Sequence, residues 1–208
     1  APPPFNNDSI QHRVQRMHSV FCFVEQGDDN VPDYVINEVI FPNVSQEQQV
    51  AILAKVNGEH GPIDFSTLLP VPINYWQGDT SKDHEETFPG TKLDWCTENW
   101  STKWNVSSLF LMPGEVARYQ PIVQTDTTLT LTFQTAWSPA YGWIVALFNT
   151  FHLEIVHNWL SEYDNVGQVG HYYLDNGQNR WCSEESALDM QRHLMFLLYG
   201  VESFEDNE

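Results

Sequence analysis

Tyr34-Val-Ile-Asn-Glu-Val-Ile-Phe41, closed by Pro42 and followed by Ser45-Gln-Glu-Gln48, is the stretch on which the fold turns. Its first half is rich in β-branched and aromatic residues and stops at a proline, which cannot donate to a ladder, so it predicts a strand. Ser45, with Gln48 three residues later, is a capping-box signature and predicts that a helix begins there. Val50, Ile52, Leu53 and Val56 give that helix an apolar stripe, and Gly58 stands where a C′ residue would end it.

Further along the chain, Thr127-Thr-Leu-Thr-Leu-Thr-Phe-Gln134 alternates threonine with apolar residues, which predicts a half-buried strand. A shorter candidate strand spans Leu109 to Met112. Ser138-Pro139 opens a helix with serine at the cap and proline at the first position, lined by Trp143, Ile144, Ala146, Leu147, Phe148 and Phe151. His152 to Trp159 returns as a strand, Val166 to Leu174 as another, and Asp175-Asn-Gly177 is hairpin chemistry. Ser183 caps a last helix, with Glu184 and Glu185 in its positive first turn. Ala187, Leu188, Leu194, Phe196, Leu197 and Leu198 supply its apolar positions, and Gly200 closes it. The order β, α, β, β, α, β with a strand and a helix appended predicts an α+β class. The specific expectation is a ferredoxin-like split βαβ antiparallel sheet with helices on one face.

Upstream, residues 1 to about 12 read as a loose Pro- and Asn-rich arm, Val14 to Glu25 as an added strand and Asp28-Asp-Asn30 as a turn. The expected division is therefore residues 1–32, an arm and added strand, and residues 33–208, the α+β domain. Within the domain, residues 58–104 read as a long middle loop, because Pro62, Pro70, Pro72, Pro89 and several glycines oppose long regular elements. The terminal helix spans 183–200.

Composition narrows the function. The 208 residues hold 41% hydrophobic and 13% aromatic side chains, enough for a core without staples. Twenty-eight Asp and Glu against nine Lys and Arg give a formal charge of −19. That field repels phosphate backbones, so direct binding to nucleic acid is disfavoured, and it attracts basic proteins. An acidic surface also serves solubility alone. Cys22, Cys96 and Cys182 are widely spaced and odd in number, which reads as reduced cytosolic thiols. The start Ala1-Pro-Pro-Pro-Phe5 has neither the basic nor the apolar region of a signal peptide, and no run is long enough to span a membrane. The expected location is the cytosol of a host cell.

Three motifs carry a family resemblance. Gly61-Pro-Ile-Asp-Phe-Ser-Thr-Leu-Leu-Pro-Val-Pro72, Glu98-Asn-Trp-Ser-Thr-Lys-Trp104 and Phe133-Gln-Thr-Ala-Trp-Ser-Pro139, in that order, resemble segments of the YubB/Api92-like proteins of phages and plasmids. Gly167 and Gly170 also suit that pattern, and the likeness extends over about residues 33 to 177. Ser101 departs from it, standing where the pattern usually has glycine; if that glycine serves a positive φ, the turn here differs. The resemblance implies a ferredoxin-like fold and a mobile-element origin, and it carries over no catalytic residue and no cofactor.

Chemistry-bearing patterns are thin. His152-Leu-Glu154 matches the H-x-E of zinc deaminases, but no P-C-x-x-C completes a zinc site. Cys96 has no orienting acid or oxyanion donors at recognisable spacing, so an inert buried thiol is the expectation. No phosphate-binding, dinucleotide or nucleophile-elbow motif occurs. Trp95, Trp100 and Trp104 read either as an aromatic recognition surface or as core residues of a loop folded onto the sheet, with Lys103 expected to pair with a carboxylate. Acidic residues recur at Asp83, Glu85 and Glu86, at Glu184 and Glu185, and at Glu202 and Glu205. Gathered by folding, they would imitate phosphate spacing.

These readings favour a non-catalytic, acidic inhibitor from a phage or plasmid. It would occlude the basic nucleic-acid-binding surface of a host defence complex of CRISPR or restriction type, with DNA mimicry as the device. The expected contact residues are Asp83, Glu85, Glu86, Glu184, Glu185, Glu202, Glu205 and Trp100, without metal or cofactor. The alternatives are a self-associating structural or assembly protein of the mobile element, or an enzyme acting through His152, Glu154 or Cys96.

Overall fold

A computed structural model describes residues 34–76, 90–106, 119–161, 168–174 and 184–199. In chain order the elements are β1 (Tyr34–Phe41), α1 (Gln46–Val56), a 3₁₀ turn (Phe65–Thr67), α2 (Lys92–Trp100), β2 (Ile122–Gln124), β3 (Leu129–Ala136), α3 (Tyr141–Phe151), β4 (Ile155–Ser161), β5 (Gln168–Leu174) and α4 (Glu184–Tyr199). The five strands form one sheet in the order β2-β3-β1-β4-β5, with every neighbouring pair antiparallel. The first four strands have the ferredoxin-like order: each β-α-β crossover skips one position, so β1 and β3 sit together at the centre. The fifth strand extends the β4 edge.

The capping box expected at Ser45 is present: the Ser45 hydroxyl accepts from the Gln48 backbone N–H, and the Gln48 side chain accepts from Ser45 N–H. The helix end differs from expectation. Asn57 is extended, and Gly58 forms a bridge with Gly61 instead of a left-handed cap. A Cβ on Gly58 would lie 2.2 Å from Asp64 Oδ2, so close approach is what requires glycine here.

Three further expectations shift. The middle loop contains α2, opened by a second capping box in which Thr91 and Asp94 bond reciprocally. Proline density runs only to Pro89, and nothing after it opposes a helix. The helix expected at Ser138-Pro139 begins at Tyr141, because Ser138 is committed elsewhere: its N–H donates to Ala136 O and its hydroxyl to Ser101 O. The strand expected from His152 begins at Ile155, since His152 is the left-handed cap of α3 at φ 52°. The expected arm and strand at 1–32, the strand Leu109–Met112, the turn Asp175–Gly177 and the caps Ser183 and Gly200 lie outside the described residues.

Side-chain alternation divides the sheet into two faces. Val35, Val39 and Phe41 of β1, Leu129, Leu131 and Phe133 of β3, and Ile155 and Trp159 of β4 point to one side. There they meet Ile52 and Val56 of α1, Trp95, Cys96 and Trp100 of α2, and Trp143, Ile144, Leu147 and Phe148 of α3. Phe65 is the centre of that core, with Trp100, Phe133 and Trp143 ring centroids 4.6 to 5.7 Å from it or from one another. Ile36 and Leu160 point the other way, to Leu194 and Met195 of α4 and to Tyr119. The terminal helix is thus an addition on the face opposite the other three.

Candidate recognition surface

The two loops that cross the end of β3 are locked together by hydrogen bonds. Asp64 is the hub of the first lock. Its Oδ1 accepts from Ser66 N–H at 2.9 Å, from the Ser66 hydroxyl and from Asn105 Nδ2 at 2.7 Å. Its Oδ2 accepts from His60 N–H at 3.2 Å and lies 3.0 Å from His60 Nδ1. Burial alone would raise the Asp64 pKa, but these donors from Ser66, Asn105 and His60 outweigh it and hold the carboxylate ionised well below its usual range. The Ser66 hydroxyl bonds the carboxylate and not the imidazole, so this is a loop anchor, not a nucleophile–base pair. Asn105 Oδ1 then accepts from Phe65 N–H and Val106 N–H.

The second lock joins residues 101–104 to 136–142. Thr102 donates its hydroxyl to Ala136 O at 3.0 Å, the Ser138 hydroxyl reaches Ser101 O, and Gly142 N–H donates to Ser101 Oγ at 2.9 Å. Ser101 is left-handed at φ 68°, so the turn of the departing position keeps the conformation that suits glycine, and the serine adds a hydroxyl acceptor to it. The expectation of a different turn is therefore corrected. A Cβ on Gly142 would lie 2.1 Å from Asn99 O, which shows how closely α3 approaches the end of α2.

On top of this lock stands a ledge. Trp104 and Trp137 meet edge to face with centroids 5.0 Å apart, and Lys103 Nζ lies 3.8 Å from the Trp137 centroid. Trp104 is 49% exposed, an unusual setting for an indole. Trp137 is held at φ 62°, a conformation a bulky residue adopts only where its surroundings impose it. The indole of Trp137 takes the place of the carboxylate expected for Lys103.

The expected contact residues distribute unevenly. Trp100 is buried at 1% exposure and donates Nε1–H to Leu69 O at 2.9 Å; this corrects its assignment to a partner surface, because its ring and its polar atom are both used inside the domain. Trp95 is likewise core, so of the three loop tryptophans only Trp104 faces outward. Glu184 and Glu185 form the start of α4. Asp83, Glu85, Glu86, Glu202 and Glu205 lie outside the described residues. Burial pushes the Cys96 thiol up to about 11, which leaves it protonated and unreactive. His152 and Glu154 sit between α3 and β4, and no group of three His, Cys, Asp or Glu suited to a metal ion occurs among the described residues. No described helix is long and apolar enough to cross a membrane.

Residues that sequence reasoning passed over include Trp137, Glu38 and His193. Glu38 Oε2 accepts from Asn158 Nδ2 at 2.9 Å and Oε1 lies 2.8 Å from His193 Nε2, on the face covered by α4. Its signal was the Asn37-Glu38 pair inside an otherwise apolar strand, which requires a polar partner on each face.

Residues 118–202 match the family described as the ferredoxin-like domain in Api92-like proteins. The resemblance read from the motifs holds over that span, which contains Phe133–Pro139; the motifs at 61–72 and 98–104 precede it. No curated protein and no solved structure matches the chain.

Proposed function

We propose that this chain is a non-catalytic binding protein that meets its partner through the Trp104–Trp137 ledge. The observation that carries the reading is an exposed indole, Trp104, packed on the half-buried Trp137 over a doubly locked base. Tryptophan dominates binding hot spots, and a ring already immobilised loses little entropy on association. The formal charge of −19 supports a basic partner, which the field would attract and orient. In its finer form, the chain comes from a phage or plasmid and inhibits a host defence complex of CRISPR or restriction type. It does so by covering a Lys/Arg-lined nucleic-acid site.

The test is affinity capture from host lysate across a salt series, repeated with Trp104→Ala and followed by titration of the purified pair. The expected result is a nucleic-acid-processing protein that is released by high salt or by duplex DNA. Trp104→Ala should then weaken the purified pair by about 2 kcal/mol or more, roughly 30-fold. Salt-insensitive recovery of the chain itself or of virion proteins would replace inhibition with assembly. Unchanged affinity in Trp104→Ala would remove the ledge from the interface.

A further inference from the structure

Glu38 and its two partners occupy the sheet face that the ledge does not touch. Asn158 stands directly across from Glu38 in the β1–β4 register and clamps one carboxylate oxygen. His193, from the middle of α4, takes the other. Among the described residues the apolar cluster on this face is Ile36, Tyr119, Leu160, Leu194 and Met195, with Met190 and Leu197 partly buried beside it. The Glu38–His193 contact sits beside this apolar cluster. The Glu38 side chain is nearly buried, whereas that of His193 is half exposed and can exchange its proton with water. We infer that α4 is a releasable cover on this face of the sheet, docked through the Glu38–His193 contact and governed by the charge on the imidazole.

Other polar and titratable groups stand around that contact, and the His193→Gln variant separates their effect from its own. On α4, Asp189 and Arg192 face solvent and pair with each other at 3.7 Å. Thr132 of β3 lies across from Glu38. The β4–β5 register puts His171 opposite Asn158 and Tyr173 opposite Val156. Burial raises the Tyr119 phenol, so it stays neutral. The hydrogen bond to Glu38 raises the His193 pKa against the opposing effect of burial, and attraction to the carboxylate adds to it. For Glu38, burial acts to raise the pKa, but the bonds from His193 and Asn158 and the charge of His193 prevail and lower it.

The sign of the linkage follows. A histidine with a raised docked pKa adds docking stability in full below its ordinary value of 6.5, and this is lost as pH climbs through the raised value. A carboxylate with a depressed pKa adds stability above its ordinary value of 4.5, lost as pH falls through the depressed value. Docking of α4 is thus tightest in the mildly acidic interval between those values and loosens toward alkaline pH.

Hydrogen–deuterium exchange of the whole chain at pH 5.5 and pH 8.5, corrected for intrinsic rates, tests this. Protection across Glu184–Tyr199 is expected to fall several-fold at pH 8.5 relative to Tyr34–Phe41. His193→Gln, a change at a half-exposed position that leaves the sheet intact, should abolish the difference. Equal α4 protection at both pH values overturns the inference, as does a pH dependence that survives in His193→Gln. An NMR titration of the His193 imidazole is a separate check: a midpoint above 6.5 supports the latch, and one at or below 6.5 overturns it.

Discussion

The two faces of the sheet are stabilised in different ways, and the adjacent residues Asn37 and Glu38 of β1 show how. Asn37 points into the aromatic face, where water is excluded. Its Nδ2 donates to Val35 O and Thr135 Oγ1, while its Oδ1 accepts from Ala140 N–H and lies 3.0 Å from His157 Nε2. Glu38 points to the α4 face, where a half-exposed histidine can meet it. A neutral amide can be satisfied in a dry interior, whereas a carboxylate there would need a full counter-charge. The aromatic face is therefore closed by shape and by hydrogen bonds within the interior, and the α4 face is held by a contact that reaches solvent. The comparison teaches that one strand can be core on both sides and still connect a permanent layer to a conditional one.

The sharpest way to break this comparison is to empty each face in turn. Trp143→Ala removes a fully buried indole that packs on Phe65 and Phe133. It should cost about 3–5 kcal/mol in urea unfolding, a large part of the stability of a domain this size. Leu194→Ala, on the other face, should act mainly on α4. Exchange across Glu184–Tyr199 should accelerate while β1 and β3 keep their protection, because the aromatic core does not need the cover. If Leu194→Ala lowers the global urea midpoint as far as Trp143→Ala does, the two faces are one cooperative core and the distinction fails.

Much of the first face was legible in the sequence. Periodicity placed β1, α1 and β3 because hydrophobic spacing, a proline stop and a capping box all agreed there. What escaped was the tertiary use of polar residues. Ser138 has the chemistry of a helix cap but bonds Ser101 O, a partner 37 residues away that local spacing cannot reveal. Trp100 and Trp104 look equivalent in the chain, yet one fills the core and the other stands on the ledge. The left-handed turn at Ser101 stands between them. The latch was hidden for a similar reason: 155 residues separate Glu38 from His193.

The interlock beneath the ledge gives a smaller effect with a telling sign. Glycine inside a helix normally costs roughly 1 kcal/mol relative to alanine, so Gly→Ala in α3 would ordinarily stabilise. At Gly142 the added Cβ meets the Asn99 carbonyl at 2.1 Å, and backbone cannot move as a flexible side chain can. Gly142→Ala should therefore destabilise by about 1–3 kcal/mol in urea unfolding, in line with overpacking. It should also alter Trp104 fluorescence, because the ledge rests on the contact it breaks. A neutral or stabilising result would mean that α3 and the end of α2 are free to separate, and the aromatic face would lose its claim to rigidity.

The smallest effect is the most discriminating for the ledge, and it lies at Ser101. Two changes there separate backbone strain from side-chain bonding. Ser101→Gly relieves a left-handed conformation at φ 68°, worth about 1 kcal/mol, and loses the bond from Gly142 N–H, worth about the same. Its net effect on the urea midpoint should lie within about 0.5 kcal/mol of zero. Ser101→Ala keeps the strain and loses the bond, so it should cost about 1 kcal/mol. If both variants are neutral, neither the strain nor the hydroxyl contributes, and the second lock rests on the Thr102–Ala136 and Ser138–Ser101 bonds. If Ser101→Gly is clearly stabilising, the strain exceeds the bond, and serine stands there at a cost that stability does not explain.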